Sequence, residues 1–434
     1  MSDLKTLGQT GLEALEQTLV TRYEGFREQE LALDMTRGKP SVRQLNLSNA
    51  MLEYPGVTDY TADDGTDCRN YGGLTGIPKM KKLFADLLEV TPEQVVVGGN
   101  SSLTMMHDAL VRACLFGVPG GEGPWVHQGP LKFLCPSPGY DRHFAITEHL
   151  GFELIAIDMT DSGPDMQQVT AAVSEDPSVK GIWCVPKYSN PTGVTYSEEV
   201  VQALAGMQIA APDFRIIWDN AYAEHYFSDK PDELANIYAA CVEAGNEDRV
   251  LMFASTSKMS LAGSGVAALA ASPTNIEDAL KHLAVQTIGP DKLNQLRHAR
   301  FFGGIGGLRA HMRQHAELIK PKFDLVHDVL YEELDGKDIA TWTKPNGGYF
   351  VSLDVWDGCA KQVIQLAADI GVNLTNAGAP FPYGKDPHDH NIRIAPTFPR
   401  REEIKLSMEV IAVCIQLVAV RQLLGKSHNS QDAD

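Results

Sequence analysis

The stretch Val250-Leu-Met-Phe-Ala-Ser-Thr-Ser-Lys-Met-Ser-Leu-Ala-Gly-Ser-Gly265 decides how this chain is built. An apolar run of strand character leads into a turn of small hydroxyl residues that carries Lys258, and a second apolar run, 266–271, follows. A lysine between two buried strands loses much of its hydration unless it is paired, deprotonated or covalently bound. Because a lone lysine in a loop is more often solvated, the remaining sequence has to show whether Lys258 is functional.

Further short apolar runs of the same kind are separated mostly by helical or polar stretches. The seven runs are 94–97, 133–135, 153–157, 181–185, 215–218, 250–253 and 265–271. Short strands that alternate with helices predict an α/β fold with a mostly parallel seven-stranded sheet and helices on both faces. Sites in such folds form where the carboxyl ends of the strands meet the loops that follow them.

Four of the loops that follow strands carry side chains suited to chemistry. In chain order they hold Tyr140, Asn190, Asp219 with Tyr222, and Lys258. Each residue alone has an ordinary explanation, such as a rim aromatic, a turn, a helix cap or a core position. Because all of them occupy equivalent places along one sheet, a shared site is the better interpretation.

A glycine turn after the first strand favours phosphate binding. It leads to Ser101 and Ser102 at the start of a predicted helix, where unpaired N–H groups and the helix dipole attract an anion. The motif lacks the P-loop lysine and the G-x-G-x-x-G spacing. The turn 37–39 is a second candidate anion site, since Gly38 allows close backbone approach between two cations.

Charge and composition exclude several classes of protein. The 434 residues are 44% hydrophobic and carry 37 basic against 56 acidic side chains, a net charge of −19 that repels nucleic acid and anionic membranes. Seven cysteines without a C-x-x-C pair predict reduced thiols and no metal site. No signal-peptide pattern is present, and the apolar run 410–420 is too short to span a bilayer, so we expect a cytoplasmic protein.

Four ordered motifs resemble those of the fold-type I, class I aminotransferases, which use pyridoxal 5′-phosphate. They are Asn190-Pro-Thr-Gly193, Asp219-x-x-Tyr222, Ser255-x-Ser-Lys258 and Asn391-x-Arg-x-Ala395. The resemblance extends over nearly the whole chain. Within the family, the stretches 33–40, 69–73 and 138–144 are most similar to the bacterial aspartate aminotransferase branch related to the aminotransferase halves of MocR-type regulators.

The resemblance implies a role for each residue of the shared site. Lys258 would hold the cofactor as an internal aldimine and move the proton of the substrate α-carbon. Asp219 would pair with the pyridine nitrogen and keep it protonated. Tyr222 and Asn190 would bond the ring O3′, Asn190 would also lie next to the substrate, and Tyr140 would stack on the ring.

The resemblance also implies how the cofactor phosphate is bound. Four hydroxyl residues would hold it: Ser101, Ser102, Ser255 and Ser257. Tyr71 would reach the phosphate of the neighbouring subunit, which implies a homodimer. Many relatives place an arginine just beyond the lysine to neutralise the phosphate, whereas this chain reads Ser264-Gly-Val266. Either neutral donors hold the phosphate, or a cation arrives from elsewhere.

For the substrate, the resemblance implies that Arg393 binds the α-carboxylate through both ends of its guanidinium. A dicarboxylate substrate needs a second cation, because an unpaired charge in a pocket is heavily penalised. Arg37, beside Gly38, is the candidate, and Lys39 and Arg142 are the alternatives.

The implied reaction is transamination between L-aspartate and 2-oxoglutarate by a ping-pong mechanism, with a small amino acid and a 2-oxo acid as the binding partners. Aromatic, kynurenine-like or 2-aminoadipate substrates are alternatives, as is a β-lyase on the same scaffold. A degenerate cofactor-binding module that senses metabolites is a further alternative. The intact lysine, aspartate, tyrosine and arginine speak against it.

The chain is expected to form two domains. A large cofactor-binding domain would comprise 56–310, and a smaller α+β domain with an N-terminal helix would comprise 1–55 and 311–434. Helical spacing predicts helices at 11–30 and 308–334. The glycines at 303–307 precede the second helix as a hinge or a plain turn, and the polar tail 427–434 is expected to be disordered.

Overall fold

The computed structural model describes residues 4–426, so the expectation for the tail 427–434 lies outside the described residues. The helices are α1 (Gln9–Arg27), α2 (Val42–Asn46), α3 (Pro78–Leu88), α4 (Ser102–Phe116), α5 (Asp141–His149), α6 (Met166–Glu175), α7 (Glu198–Gly206), α8 (Ile237–Glu243), α9 (Pro273–Gln286), α10 (Lys292–Phe302), α11 (Ile305–Leu334), α12 (Ala360–Asp369) and α13 (Arg401–Leu423). The strands are β1 (Leu33–Asp34), β2 (Val95–Val97), β3 (Lys132–Ser137), β4 (Glu153–Thr160), β5 (Gly163–Pro164), β6 (Val179–Cys184), β7 (Arg215–Asp219), β8 (Val250–Ser255), β9 (Ala267–Ala271), β10 (Ala340–Trp342), β11 (Val351–Val355), β12 (Val372–Asn373) and β13 (Asn391–Ile394).

The central sheet has eight strands in the order β2-β9-β8-β7-β6-β3-β4-β5. Strands β4, β3, β6, β7 and β8 pair in parallel, whereas β9 runs antiparallel to both β8 and β2. The predicted mostly parallel α/β sheet is therefore confirmed. The strand beyond the seven predicted ones is β5, which pairs antiparallel with β4 over two residues and is too short to produce an apolar run.

Both faces of the central sheet are covered. In β7, whose residues are all buried, Ile216 and Trp218 join one hydrophobic core while Ile217 joins another. Because side chains alternate between the faces of a strand, these two cores lie on opposite sides of the sheet. This placement matches the expectation that parallel strands are buried between helices.

A third hydrophobic core combines α1 with α11, α12, α13 and the antiparallel sheet β10-β11-β13. Every residue of 410–420 is buried within α13, so this apolar run belongs to a helix of the core. The helix predicted at 11–30 is α1, which starts and ends slightly earlier. Its end precedes Glu30, whose φ of 49° is incompatible with a continuing helix.

The non-helical segment before α11 is shorter than the glycines at 303–307 predicted. Only Gly303 and Gly304 adopt a positive φ, and α11 already begins at Ile305. Gly307 lies inside the helix, where a Cβ atom would stand 1.8 Å from the carbonyl oxygen of Phe302. Position 307 therefore requires glycine because of close packing, and not only because of backbone flexibility.

Within residues 4–426, no helix is long and apolar enough to cross a membrane. All seven cysteines are buried free thiols, as their scattered spacing predicted.

Three buried histidines make the stability of the fold dependent on pH. Burial lowers the pKa of His225 and His315 to about 3 and that of His298 to about 4. These side chains stay neutral in the folded protein while the unfolded chain binds protons below its ordinary pKa of about 6.5. The stability that they contribute is therefore present above that pH and is lost as the pH falls.

We expect the free energy of unfolding to decrease by about 4 kcal/mol per pH unit near pH 5, since each of the three histidines contributes about 1.4 kcal/mol per unit. Urea unfolding curves between pH 7 and pH 5 measure this slope. Midpoints that stay constant over this range would contradict the prediction.

Candidate active site

The carboxyl ends of β3, β6, β7 and β8 bring the predicted residues together around two adjoining cavities. The first cavity, here called the serine cavity, has a volume of about 260 Å³ and is lined by Asn100, Ser101, Ser102, Leu103, Met106, Tyr140, Val185, Asn190, Asp219, Ala221, Tyr222, Ser255, Ser257, Lys258 and Ala262. The second, the arginine cavity, has a volume of about 470 Å³ and is lined by Thr36, Arg37, Gly38, Tyr140, Asp141, Arg142, Asn190, Tyr222, Lys258, Phe350, Leu374, Thr375, Asn376 and Arg393. Four residues line both cavities: Tyr140, Asn190, Tyr222 and Lys258.

Asp219 is the last residue of β7 and only 3% of its surface is exposed. Its Oδ2 lies 3.0 Å from Nε2 of His143, which stacks on Trp183 at a ring distance of 4.3 Å. Its Oδ1 is buried and has no hydrogen-bond partner. One carboxylate oxygen is thus fixed by the protein, while the other is available to a ligand that donates a hydrogen bond.

The sequence did not reveal the role of His143. The residue lies in the stretch 138–144 that carries the family resemblance, but its contact with Asp219 spans 76 positions. Because the contact depends on how α5 packs on the sheet, no spacing in the chain indicates it.

Asn190 occupies the loop after β6 and leaves a buried oxygen, Oδ1, without a partner. Two backbone hydrogen bonds hold this loop. The N–H of Ser189 donates to the carbonyl oxygen of Val194 at 2.9 Å, and the N–H of Gly193 donates to that of Ser189 at 2.6 Å. Gly193 adopts a φ of 73° and packs against Pro345, which excludes any larger residue. An unpartnered buried amide group in a rigid loop is suited to orient a polar ligand.

Lys258 follows β8 and contributes its amine to both cavities. Its Nζ lies 5.1 Å from the ring centroid of Tyr222 and 5.8 Å from that of Tyr349. Burial lowers the pKa of the amine, and the charge of Asp219 opposes this shift. A desolvated amine of lowered pKa is the form of lysine that acts as a nucleophile or a base.

The two phenols that line both cavities, those of Tyr140 and Tyr222, stay protonated. Burial raises the pKa of Tyr140 to about 12 and raises that of Tyr222 well above its ordinary value. Both hydroxyls can therefore donate hydrogen bonds to a ligand over the whole physiological pH range.

The predicted phosphate-binding residues line one part of the serine cavity. Ser101 precedes α4 but makes no capping bond with its side chain, so its hydroxyl and the N-terminal N–H groups of α4 are available to an anion. Ser257 donates to the carbonyl oxygen of Asn100 at 3.2 Å. Among the side chains that line this cavity in residues 4–426, Lys258 is the only cation.

The structure shows why position 265, within the segment where the arginine was expected, carries no side chain. A Cβ atom at Gly265 would lie 2.8 Å from Oγ and 3.0 Å from Cα of Ser257. The backbone at 265 therefore packs directly against a serine of the cavity and leaves no room for a side chain. Asn294 holds this segment by donating to the carbonyl oxygens of Ser264 and Gly265 at 3.0 and 2.9 Å.

Arg393, on β13, lies at the arginine cavity with 8% of its surface exposed. Its Nη1 donates to Asp141 at 2.9 Å and its Nη2 to Thr375 at 3.3 Å, while its buried Nε has no partner. The guanidinium also lies over the ring of Phe350. The side chain is thus held in one orientation and keeps donor capacity for an anion.

The candidates for a second cation differ in position. Arg37 and Arg142 line the arginine cavity, whereas Lys39 is not among its lining residues and lies 3.9 Å from the ring centroid of Phe398. Gly38 is required here, because a Cβ atom would stand 2.3 Å from Cζ of Phe350. The structure therefore favours the two arginines over Lys39.

Like Lys39, Tyr71 lies apart from both cavities. It is absent from their linings, and 84% of its surface is exposed. This position is compatible with the expectation that it acts on a neighbouring subunit.

Comparisons with known proteins agree with this geometry. The sequence matches the family described as aspartate amino-transferase over residues 7–427. A relative from Mycolicibacterium smegmatis is 49% identical over 423 residues, which cover 97% of this chain and 99% of that protein. An aspartate aminotransferase of Corynebacterium glutamicum is 46% identical over 398 residues, 92% of either chain.

Solved structures extend the comparison. The crystal structure of an aspartate transaminase from Corynebacterium glutamicum has a TM-score of 0.95 at 44% identity and covers 97% of this chain and 99% of its own. LysN, an α-aminoadipate aminotransferase of Thermus thermophilus solved with N-(5′-phosphopyridoxyl)-L-leucine, has a TM-score of 0.71 at 18% identity, covers 90% of this chain and 93% of its own, and shares the fold. The family match over nearly the whole length and the close relatives show that this chain belongs to the aspartate aminotransferase family of fold type I and is an aminotransferase.

Proposed function

We propose that this aminotransferase binds pyridoxal 5′-phosphate in the serine cavity and transfers the amino group of L-aspartate to 2-oxoglutarate by a ping-pong mechanism. The observation that carries the proposal is the pair of adjoining cavities with Lys258 at both. Aminotransferases of this fold generally use pyridoxal phosphate, and the aspartate aminotransferase of Corynebacterium glutamicum supports aspartate as the amino donor.

The serine cavity fits this cofactor. The unpartnered Oδ1 of Asp219 would accept from the protonated ring nitrogen. The Nδ2 of Asn190 and the hydroxyl of Tyr222 would donate to the ring oxygen. Tyr140 would cover the ring face. The phosphate would be held by the hydroxyls of Ser101, Ser102, Ser255 and Ser257 and by the start of α4.

When bound, the cofactor supplies an electron sink for the bond that breaks at the substrate α-carbon. Lys258, whose lowered pKa favours the neutral amine, takes the α-proton with its Nζ. His143 keeps the carboxylate of Asp219 in place by binding its other oxygen, Oδ2. Arg393 orients the substrate through its α-carboxylate, which places the α-hydrogen near the lysine.

The charge of the arginine cavity supports a dicarboxylate substrate. Besides Lys258, the lining of this cavity holds three guanidinium groups, those of Arg37, Arg142 and Arg393, and a single carboxylate, that of Asp141. The excess of two positive charges matches the two carboxylates of aspartate or 2-oxoglutarate, and a substrate with one carboxylate leaves a cation unpaired. We propose Arg37 for the distal carboxylate and Arg142 as the alternative.

We expect Arg37→Ala to reduce kcat/KM for aspartate by roughly 30-fold, about 2 kcal/mol, because a charge-assisted hydrogen bond to the distal carboxylate is lost. Turnover of alanine, which lacks this group, should change little. Arg142→Ala is the matched variant from the same cavity. Equal losses for aspartate and alanine in Arg37→Ala would rule out its proposed role, and an aspartate-specific loss in Arg142→Ala alone would transfer that role to Arg142.

A panel of amino donors assayed with 2-oxoglutarate tests the proposed reaction. Aspartate should give the highest kcat/KM and yield oxaloacetate and glutamate in equal amounts. A higher kcat/KM for an aromatic amino acid, kynurenine or 2-aminoadipate would contradict aspartate as the preferred donor and identify that compound instead. Release of ammonia and pyruvate from a β-substituted alanine without glutamate formation would indicate a β-lyase.

We further propose a homodimer in the cytoplasm. Exposed apolar side chains on 52–57, at Tyr71 and on 285–288 offer a surface for a second copy, and Tyr71 projects from it. The seven unbridged thiols support a reducing compartment.

The proposed domains are 56–310 for the cofactor and 1–55 with 311–434 for the smaller unit, which the third hydrophobic core supports by uniting both ends of the chain. Within the family, we propose kinship with the branch related to MocR-type regulators, supported by the stretches 33–40, 69–73 and 138–144.

A further inference from the structure

A buried lysine holds the loop that presents Tyr71. Lys292, the first residue of α10, has 3% of its surface exposed. Its Nζ donates to the carbonyl oxygen of Asn70 at 2.8 Å and to that of Gly72 at 2.6 Å. The two acceptors belong to the residues on either side of Tyr71. The lysine therefore fixes the backbone of Tyr71 while the ring stays exposed.

The chain around Lys292 reinforces this contact. Gly289 packs against the same loop so closely that a Cβ atom would lie 2.5 Å from the carbonyl oxygen of Gly72. Gly72 itself adopts a φ of 97°, which a larger residue disfavours. Segment 289–292 thus forms a rigid support under the loop 70–72.

The partners of Lys292 are unusual for a buried lysine. Both hydrogen-bond acceptors are neutral carbonyls, and within residues 4–426 no carboxylate oxygen lies within 4.0 Å of its Nζ. A buried cation is normally compensated by an opposite charge. Lys292 thus has no opposite charge in its own subunit, so an ammonium at this position would act on an anion that approaches the loop from outside.

The serine cavity lacks positive charge for the phosphate that it is proposed to bind. Its proposed ligand carries a phosphate, yet the lining of the cavity within residues 4–426 supplies no cation except Lys258. Close packing on Ser257 also disfavours a side chain at position 265. A phosphate without a nearby positive charge is bound less tightly than one that meets both donors and a cation.

We propose that Lys292 is a positioning residue that acts between subunits: it holds loop 70–72 so that Tyr71 reaches the phosphate bound in the partner's serine cavity, and it places a positive charge behind that contact. The inference rests on the proposed function, since it requires the cofactor and the dimer. It names the cation that compensates for the missing arginine.

The first test compares the cofactor with pyridoxal, which lacks the phosphate. Lys292→Met should raise the dissociation constant of pyridoxal phosphate about tenfold and change that of pyridoxal less than about twofold, because only the phosphate interaction is weakened. Lys292→Arg, which keeps the charge, should retain most of the affinity. Equal weakening for both ligands would mean that Lys292 is merely structural and would overturn the proposal.

The second test uses hybrid dimers of one Lys258→Ala subunit and one Lys292→Met subunit. The single site that can link the cofactor covalently then faces a loop with an intact Lys292. We expect it to release the cofactor as slowly as wild type, measured by loss of its absorption band. Release as fast as in the Lys292→Met homodimer would show that Lys292 acts within its own subunit and would reject the inference.

Two controls separate this inference from the function on which it rests. If Tyr71→Phe leaves the affinity for pyridoxal phosphate unchanged and wild type is a monomer by sedimentation, the proposed shared site itself is wrong. If Tyr71→Phe weakens binding and Lys292→Met does not, only the role of Lys292 is wrong. Should the methionine variant fail to fold, Lys292→Gln, which keeps N–H donors but no charge, carries the same comparison.

Discussion

Lys258→Ala is expected to abolish transamination, with kcat reduced by roughly 10⁴-fold or more, because one side chain supplies both the covalent link to the cofactor and the base for the α-proton. Burial lowers the pKa of its amine, and its Nζ lies beside Tyr222 at the junction of the two cavities. No other amine lines either cavity within residues 4–426. Absorbance of the purified protein and the rate of the half-reaction with aspartate measure the two losses separately.

Lys187→Ala is the matched control. Lys187 also follows a strand of the central sheet and is partly buried, but it lines a separate cavity with Glu224 and Arg309. This variant should keep the absorption band of the linked cofactor and lose no more than about twofold in kcat. A Lys258→Ala protein with an unchanged spectrum would exclude Lys258 as the attachment point.

The site could be predicted mostly because functional residues of α/β folds gather in the loops that follow the carboxyl ends of parallel strands. Because parallel strands present their carboxyl ends along one edge, the order of apolar runs was sufficient to group Tyr140, Asn190, Asp219 and Lys258. The rule works on the backbone alone, so it did not require any knowledge of side-chain packing. Within the central sheet, the apolar runs missed only β5, a strand too short to leave a pattern.

Contacts between distant side chains could not be predicted in this way. The pairs His143 with Asp219 and Asp141 with Arg393 depend on where α5 and β13 dock on the sheet, and a periodic pattern does not encode docking. The family resemblance alone revealed that the arginine expected after Lys258 is absent. Only the structure shows that Gly265 packs on a serine of the cavity.

The position of Lys292 is a similar case. In the sequence it belongs to the stretch 289–294, which the family resemblance places near the partner's cofactor, but no pattern indicates that the lysine is buried. Its burial follows from the close approach of Gly289 to Gly72, a contact between residues more than 200 positions apart. Glycines that allow two backbones to touch were therefore the decisive signals at both Gly265 and Gly289, although neither position forms a recognisable motif.

Asp219→Ala is expected to reduce kcat/KM for aspartate by roughly 150-fold or more, on the order of 3 kcal/mol, because the carboxylate that stabilises a protonated ring nitrogen is lost. The unpartnered Oδ1 is the atom that would make this bond, whereas Oδ2 is already occupied by His143. Asp219→Asn retains the shape but not the charge, so it should be nearly as impaired. Steady-state kinetics with saturating cofactor measures both variants.

The comparison with His143 decides whether charge or position is responsible. His143→Asn removes the imidazole that holds Oδ2 but leaves the carboxylate, and it should lose only about tenfold, since the charge remains while its orientation is less restricted. Asp219→Glu, which keeps the charge at a shifted position, should fall between His143→Asn and Asp219→Ala. An Asp219→Ala enzyme that works at close to the wild-type rate would mean that the ring nitrogen needs no anionic partner in this protein. Such a result would assign the buried carboxylate a purely structural role beside His143 and Trp183.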